Sequence, residues 1–196
     1  PDLEVEVIPG ITAACSGAAV LGAPLISDFT LISLSDLLTP WEKIEKRLDL
    51  ASQADFVICL YNPSSFKRHD YLQKACDIHA KRILSESWDP LSTNEGFLVA
   101  PLAIAWQLFN KKEYIDAAEK AADHYMKRHL DMEEPYWGGT LDAIGEDKEG
   151  AWAGLQAFLT MYETTGEEKY LAAAEHAAYI LLSYTVVWDI PFPASR

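Results

Sequence analysis

Phe56-Val57-Ile58-Cys59-Leu60-Tyr61-Asn62-Pro63 decides the fold of the first part of the chain: five consecutive apolar residues stop at a polar turn. An apolar run of that length without polar alternation predicts a strand buried on both faces of a parallel sheet. Working outward, residues 29–34 form a second strand closed by Ser35-Asp36, and residues 5–8 a third stopped by Pro9-Gly10. Thr39-Pro40-Trp41-Glu42 supplies an N-cap with Pro at the first helical position. That helix reaches about Gln53, with Ile44, Leu48 and Ala51 on its apolar face. Another helix passes through Tyr71, Leu72, Ala75 and Ile78. Strand-helix-strand-helix order means an α/β fold whose ligands bind beyond the carboxyl ends of the strands. Pro9-Gly10-Ile11-Thr12 and Tyr61-Asn62-Pro63 both stand at such ends.

The residues after the first turn are small: Thr12, Ala13, Ala14, Ser16, Gly17, Ala18 and Ala19. A helix built from them can approach a neighbour closely. Periodicity alone favours simple packing on a sheet. The functional reading is a turn that admits a ligand against exposed backbone N–H groups.

Residues 79–196 are of a different kind, helical and internally repeated with a period of 56. Tyr114, Ala117, Ala118, Glu119, Ala121 and Ala122 recur as Tyr170, Ala173, Ala174, Glu175, Ala177 and Ala178. Trp106 matches Tyr162, and Asn110 matches Gly166, both residues suited to a left-handed helix end. Each unit reads as helix, tight turn, helix, so the pattern predicts a pair of αα-hairpins. Alanines permit close packing, and Trp106, Phe109, Phe158 and Tyr162 fill the space between. The stretch 135–150 joins the hairpins and combines aromatic residues, glycines and the acids Asp142, Glu146, Asp147 and Glu149. Aromatic platforms beside carboxylates suit sugars. The plainer reading of each acid is capping of the helix that starts near Glu149, and it is the favoured one.

Three segments of the first part, VEVIPGITAA (5–14), ISLSDLLTPW (32–41) and LYNPSS (60–65), resemble the tetrapyrrole methylases of cobalamin biosynthesis, in particular the precorrin-3B C(17)-methyltransferases. The resemblance runs through residues 1–78. It implies S-adenosylmethionine as cofactor, lined by Thr12, Ala13, Tyr61 and Asn62, with Ser35 and Asp36 facing the substrate cleft. It also implies in-line methyl transfer to a ring carbon of a tetrapyrrole, with the protein holding donor and acceptor in place. The glycine-rich loop of that family and its later strands do not occur in these residues. Residues 87–196 resemble six-hairpin (α/α)6-toroid glycosidase-like proteins through GGTLDA (138–143), EDKEGAW (146–152), YETTGEEKYL (162–171) and VVWDIP (186–191). By that second resemblance Asp142, Glu146, Asp147 and Glu149 are acid/base candidates on a carbohydrate, with Trp137 and Trp188 as platforms.

The fold class expected is therefore mixed: a partial α/β segment with parallel strands over 1–78, then all-α hairpins forming part of an α/α toroid over 79–196. The junction 75–82 holds no Gly, Pro or Ser linker, so the chain reads as two pieces joined within interrupted helices, a shortened natural fusion being the alternative. Methyl transfer ranks first, a sugar-active domain second and a helical interaction scaffold third. A net charge of -14, spread over both parts, disfavours nucleic acid and anionic membranes as partners. Cys15, Cys59 and Cys76 lack CxxC spacing and read as buried free thiols of a reducing compartment. No apolar run reaches the roughly 20 residues of a membrane span, and no export leader is read, so the expected location is cytoplasmic. His69, His79, His124, His129 and His176 show no metal-ligand spacing. Open sheet edges and few repeats lead to an expectation of marginal stability or self-association.

Overall fold

The computed structural model describes residues 10–21, 25, 28–54, 56–64, 69–88, 90, 94–129 and 148–185. In chain order the described elements are α1 (Ala13–Val20), β1 (Phe29–Ser33), α2 (Trp41–Gln53), β2 (Val57–Tyr61), α3 (Tyr71–Leu84), α4 (Asn94–Phe109), α5 (Lys112–His129), α6 (Lys148–Thr165) and α7 (Glu168–Ser183). A partial α/β segment with parallel strands is followed by helical hairpins, as the pattern required. The strand read at 5–8 lies outside the described residues.

β1 and β2 pair in parallel, from Phe29 with Val57 to Ser33 with Tyr61. Side chains alternate across a strand, so each strand has two different faces. One face turns Ile32, Ile58 and Leu60 toward Ile44, Leu48 and Ala51 of α2 and Ala75 of α3, which form one core with Leu34. The other carries Phe29, Leu31 and Ser33 with Val57, Cys59 and Tyr61. Every residue of β2 is half-buried rather than buried on both faces, because only one face meets the α2/α3 core. Two local expectations also change. Pro40 is the N-cap of α2, not its first helical residue: its carbonyl accepts from the Lys43 and Ile44 amides at 3.0 and 3.4 Å. Of the three cysteines, all free, Cys15 is exposed and Cys59 and Cys76 are half-buried.

α3 runs continuously across 78/79, the boundary read from the sequence. It gives Ala75 to the sheet-side core and Ala80 and Ile83 to the helical one. The helical core is built from α4/α5 and α6/α7, two αα-hairpins packed through α4 and α6. The repeated Tyr114 and Tyr170 are both fully buried in it, with Ala117, Ala118, Ala121, Ala173, Ala174 and Ala177 around them. Small residues let α4 and α6 approach: a Cβ on Gly96 would lie 3.0 Å from both the Ala153 Cβ and the Tyr125 ring.

Both hairpins turn on a left-handed residue, Asn110 at φ 52° and Gly166 at φ 73°. Their amides close the helices onto the Trp106 and Tyr162 carbonyls at 2.7 and 2.8 Å. Nothing lies within 4 Å of a Cβ built on Gly166, so a side chain there meets no clash, only an unfavourable backbone. Gly166→Ala is expected to lower stability by about 1 kcal/mol in urea unfolding, and Asn110→Gly to change it little.

Candidate functional site

The described site begins at the N-terminus of α1. Thr12 is its N-cap, with extended backbone, and its Oγ1 accepts from the Ala14 amide at 3.3 Å. The same amide donates to the Tyr61 hydroxyl at 2.8 Å, and that hydroxyl lies 3.3 Å from Thr12 Oγ1. Tyr61 is the last residue of β2, so the end of the strand is fastened to the first turn of the helix. Asn62 then turns the chain in the left-handed region, which asparagine tolerates better than most residues. Its Nδ2 donates to Ser33 Oγ at 2.9 Å, joining the ends of the two strands.

These contacts border an open groove of about 430 Å³ lined by Thr12, Ala13, Leu31, Ser33, Tyr61 and Asn62. Thr12, Ala13, Tyr61 and Asn62, the four residues singled out from the sequence, therefore meet at one place. Leu31 and Ser33 were missed. Ile32 points into the core, so alternation alone would have put its two neighbours on the opposite, open face. Ser35 and Asp36 are not among the lining residues. Asp36 instead accepts from the Tyr71 hydroxyl at 2.7 Å. Tyr71 in turn packs on Trp41, with ring centroids 4.4 Å apart, which ties the segment after β1 to α3.

Of the residues read for a carbohydrate, Asp142, Glu146, Asp147, Trp137 and Trp188 lie outside the described residues. Glu149 sits in the first turn of α6 and pairs with Lys148 at 3.2 Å, the helix-start position of the plainer reading. Among the described residues there is no group of three or more His, Cys, Asp or Glu that could hold a metal, and no helix long and apolar enough to cross a membrane.

A buried ionic cluster escaped the sequence reading. Glu95, fully buried at the start of α4, accepts from Arg128 Nη1 at 2.8 Å and lies 2.6 Å from His124 Nδ1. Arg128 also reaches the Pro90 carbonyl at 3.1 Å. Burial raises the Glu95 pKa, while His124 and Arg128 act against that rise. The cluster binds the start of α4 to the end of α5. Glu95 is 29 and 33 residues from His124 and Arg128, too far for any helix-face pattern to show.

Comparison with known proteins first gives a class. Residues 1–88 match the family of tetrapyrrole (corrin/porphyrin) methylases. Individual relatives agree. The chain is 58% identical over 79 residues to a probable cobalt-factor III C(17)-methyltransferase of Salmonella typhimurium, covering 40% of this chain and 33% of that protein. It is 51% identical over 76 residues to a precorrin-3B C(17)-methyltransferase of Sinorhizobium sp, covering 39% and 30%. A cobalamin biosynthesis protein, CbiHC, of Archaeoglobus fulgidus is 44% identical over 95 residues, covering 48% and 21%. The chain thus spans a third or less of the length of these relatives. The family match covers α1 to α3 and passes the 78/79 boundary.

Arg128→Met takes the guanidinium from a buried carboxylate and should cost about 3–5 kcal/mol at neutral pH. The folded-state pKa of Glu95 lies above its unfolded value, so the folded form takes the proton first. Stability of the variant relative to the parent should therefore recover as pH falls through that folded-state pKa. Urea midpoints of the two chains measured across pH check both signs.

Proposed function

We propose that the first part of this chain supplies one wall of the methyl-donor site of an S-adenosylmethionine-dependent methyltransferase acting on a tetrapyrrole of cobalamin biosynthesis. The acceptor proposed is a macrocycle of the precorrin-3B or cobalt-factor III type, methylated at C17. One observation carries the reading: Thr12, Ala13, Tyr61 and Asn62 converge on a groove beyond the carboxyl ends of parallel strands, inside the segment that matches the family. The groove volume falls within the range of small-molecule sites. Its lining offers the two hydroxyls of Thr12 and Ser33, the Asn62 amide and the apolar Leu31 side chain, a mixture that fits a nucleoside-bearing ligand.

When bound, S-adenosylmethionine supplies a sulfonium methyl group for a nucleophilic ring carbon. The residues of this chain bind and orient. Thr12 and Ala13 offer the N-terminal turn of α1, and the small Ala13 side chain leaves room at that wall. Tyr61 fixes the wall through the Ala14 amide. Asn62 and Ser33 hold the strand ends at a set separation. Ser35 and Asp36, on the segment that follows β1, are the acceptor-side candidates. Holding two reactants in attack geometry is the main contribution such a site makes. For residues 79–196 the reading stays architectural: the carbohydrate alternative has only Glu149 among the described residues, and Glu149 is engaged with Lys148.

Isothermal titration with S-adenosylhomocysteine tests the proposal. Saturable binding is expected, and Thr12→Arg, which places a long cationic side chain in the groove, should abolish it with unchanged helicity. A folded parent chain that gives no saturable heat would contradict the reading.

A further inference from the structure

The segment after β1 presents apolar surface beside the groove. Leu37 and Leu38 are 82% and 98% exposed, whereas Leu34, three residues before Leu37, is fully buried in the sheet-side core. One side chain holds both ends of this exposed stretch. Tyr71 of α3 donates to the Asp36 carboxylate at 2.7 Å, and its ring packs on Trp41 with centroids 4.4 Å apart. Asp36 and Trp41 are therefore both tied to Tyr71, and the chain between them forms an arch that carries the two leucines. Apolar surface kept open to water by such contacts marks a binding region. The Lys74 ammonium lies over both rings, 5.2 Å from the Trp41 centroid and 4.9 Å from that of Tyr71. Its pairing with Asp70 at 2.8 Å is a solvent-exposed contact one helical turn away, which contributes little and exchanges readily for another carboxylate. The arch also stands close to the groove. Ser33 lines the groove, and a chain advances at most about 3.6 Å per residue, so Leu37 lies within about 14 Å of Ser33. Ile11, 86% exposed, directly precedes the lining residue Thr12, so two of the segments that build the groove carry exposed apolar side chains next to it.

Resting on the methyl-transfer reading, we propose that Leu37 and Leu38 are the platform for one face of the tetrapyrrole acceptor, and that Lys74 meets one of its peripheral carboxylates. A tetrapyrrole is a flat macrocycle with apolar faces and a rim of carboxylates. An exposed leucine pair beside a lightly paired ammonium matches both parts. Leucine surface covered by the macrocycle supplies affinity, and the ammonium sets which edge of the ring turns toward α3. The Asp36 carboxylate is engaged by the Tyr71 hydroxyl, so the apolar residues that follow it carry the contact. Donor and acceptor then depend on different residues: Thr12, Ala13, Tyr61 and Asn62 on one side, the arch on the other.

The full chain is titrated with uroporphyrin III, followed by the porphyrin fluorescence, and separately with S-adenosylhomocysteine by calorimetry. Saturable porphyrin binding at a single site is expected. The double variant Leu37→Ser/Leu38→Ser should weaken it about 10-fold or more, and Lys74→Gln about 3-fold, with S-adenosylhomocysteine binding unchanged in both. Leu108→Ser, at an exposed leucine of α4, should bind porphyrin as the parent does. Porphyrin binding that survives the double variant, that falls as far with Leu108→Ser, or that is absent from the folded parent would overturn the proposal. Leucine-dependent porphyrin binding in a chain that ignores S-adenosylhomocysteine would support the platform and contradict the donor site.

Discussion

Asp77 accepts from two groups of the hairpin that follows it, the Lys111 ammonium and the Tyr114 hydroxyl, both at 2.6 Å. The two bonds differ in worth. Lys111 and Asp77 keep more than a third of their side-chain surfaces in solvent, so that pair is screened and contributes little. Tyr114 is fully buried, and its hydroxyl has the Asp77 carboxylate and, at 3.1 Å, the Gln73 carbonyl as its partners on α3. Burial first, and then the hydrogen bond to Asp77, hold the Tyr114 proton in place by raising its pKa. A charged hydrogen bond of this kind is worth about 1.5–3 kcal/mol, and its loss leaves a buried hydroxyl short of a partner. Through it α3, already committed to the sheet by Ala75, is committed to the helical core by Ala80 and Ile83.

The same chemistry recurs one hairpin later. Tyr170 donates to Asp123 of α5 at 3.0 Å, and Lys169 meets that carboxylate at 2.9 Å. The recurrence is of the bond and not of the packing: α3 lies against α5, whereas α7 packs on α6, and α3 extends the helical array while also backing the sheet. On the sheet side the consequence is positional. α3 holds Tyr71 against Trp41 and Asp36, which steadies the segment after β1, and β2 delivers Tyr61 and Asn62 to α1 and Ser33. The groove is the meeting point of those contacts.

What the sequence reveals and what it withholds follow from the range of the forces. Strand alternation and helix period are local, so β1, β2, α2 and the apolar set of Ile44, Leu48 and Ala51 were legible. The period of 56 exposed the buried tyrosines and the left-handed turns at Asn110 and Gly166, because both rest on near-neighbour geometry. The aspartates that receive the tyrosines were not legible: the Tyr-to-Asp separation is 37 residues in one case and 47 in the other, so no repeat marks it. Glu95 and Arg128 escaped for a similar reason, since a buried pair announces itself only by tertiary contact. Thr12, Ala13, Tyr61 and Asn62 were named through the family resemblance of the two turns that carry them, whereas Leu31 and Ser33 required knowing which face β1 turns to α2. At 78/79 a single helix carries residues of both cores, a tertiary relation that local periodicity does not reveal.

α3 belongs to both cores at once, and native-state hydrogen exchange of Asp77→Ala measures that directly. Removing the carboxylate should speed exchange by about 10- to 30-fold in the core amides of α2, α3 and α5 together. Acceleration confined to α5, with α2 and the sheet-side half of α3 exchanging as in the parent, would contradict it.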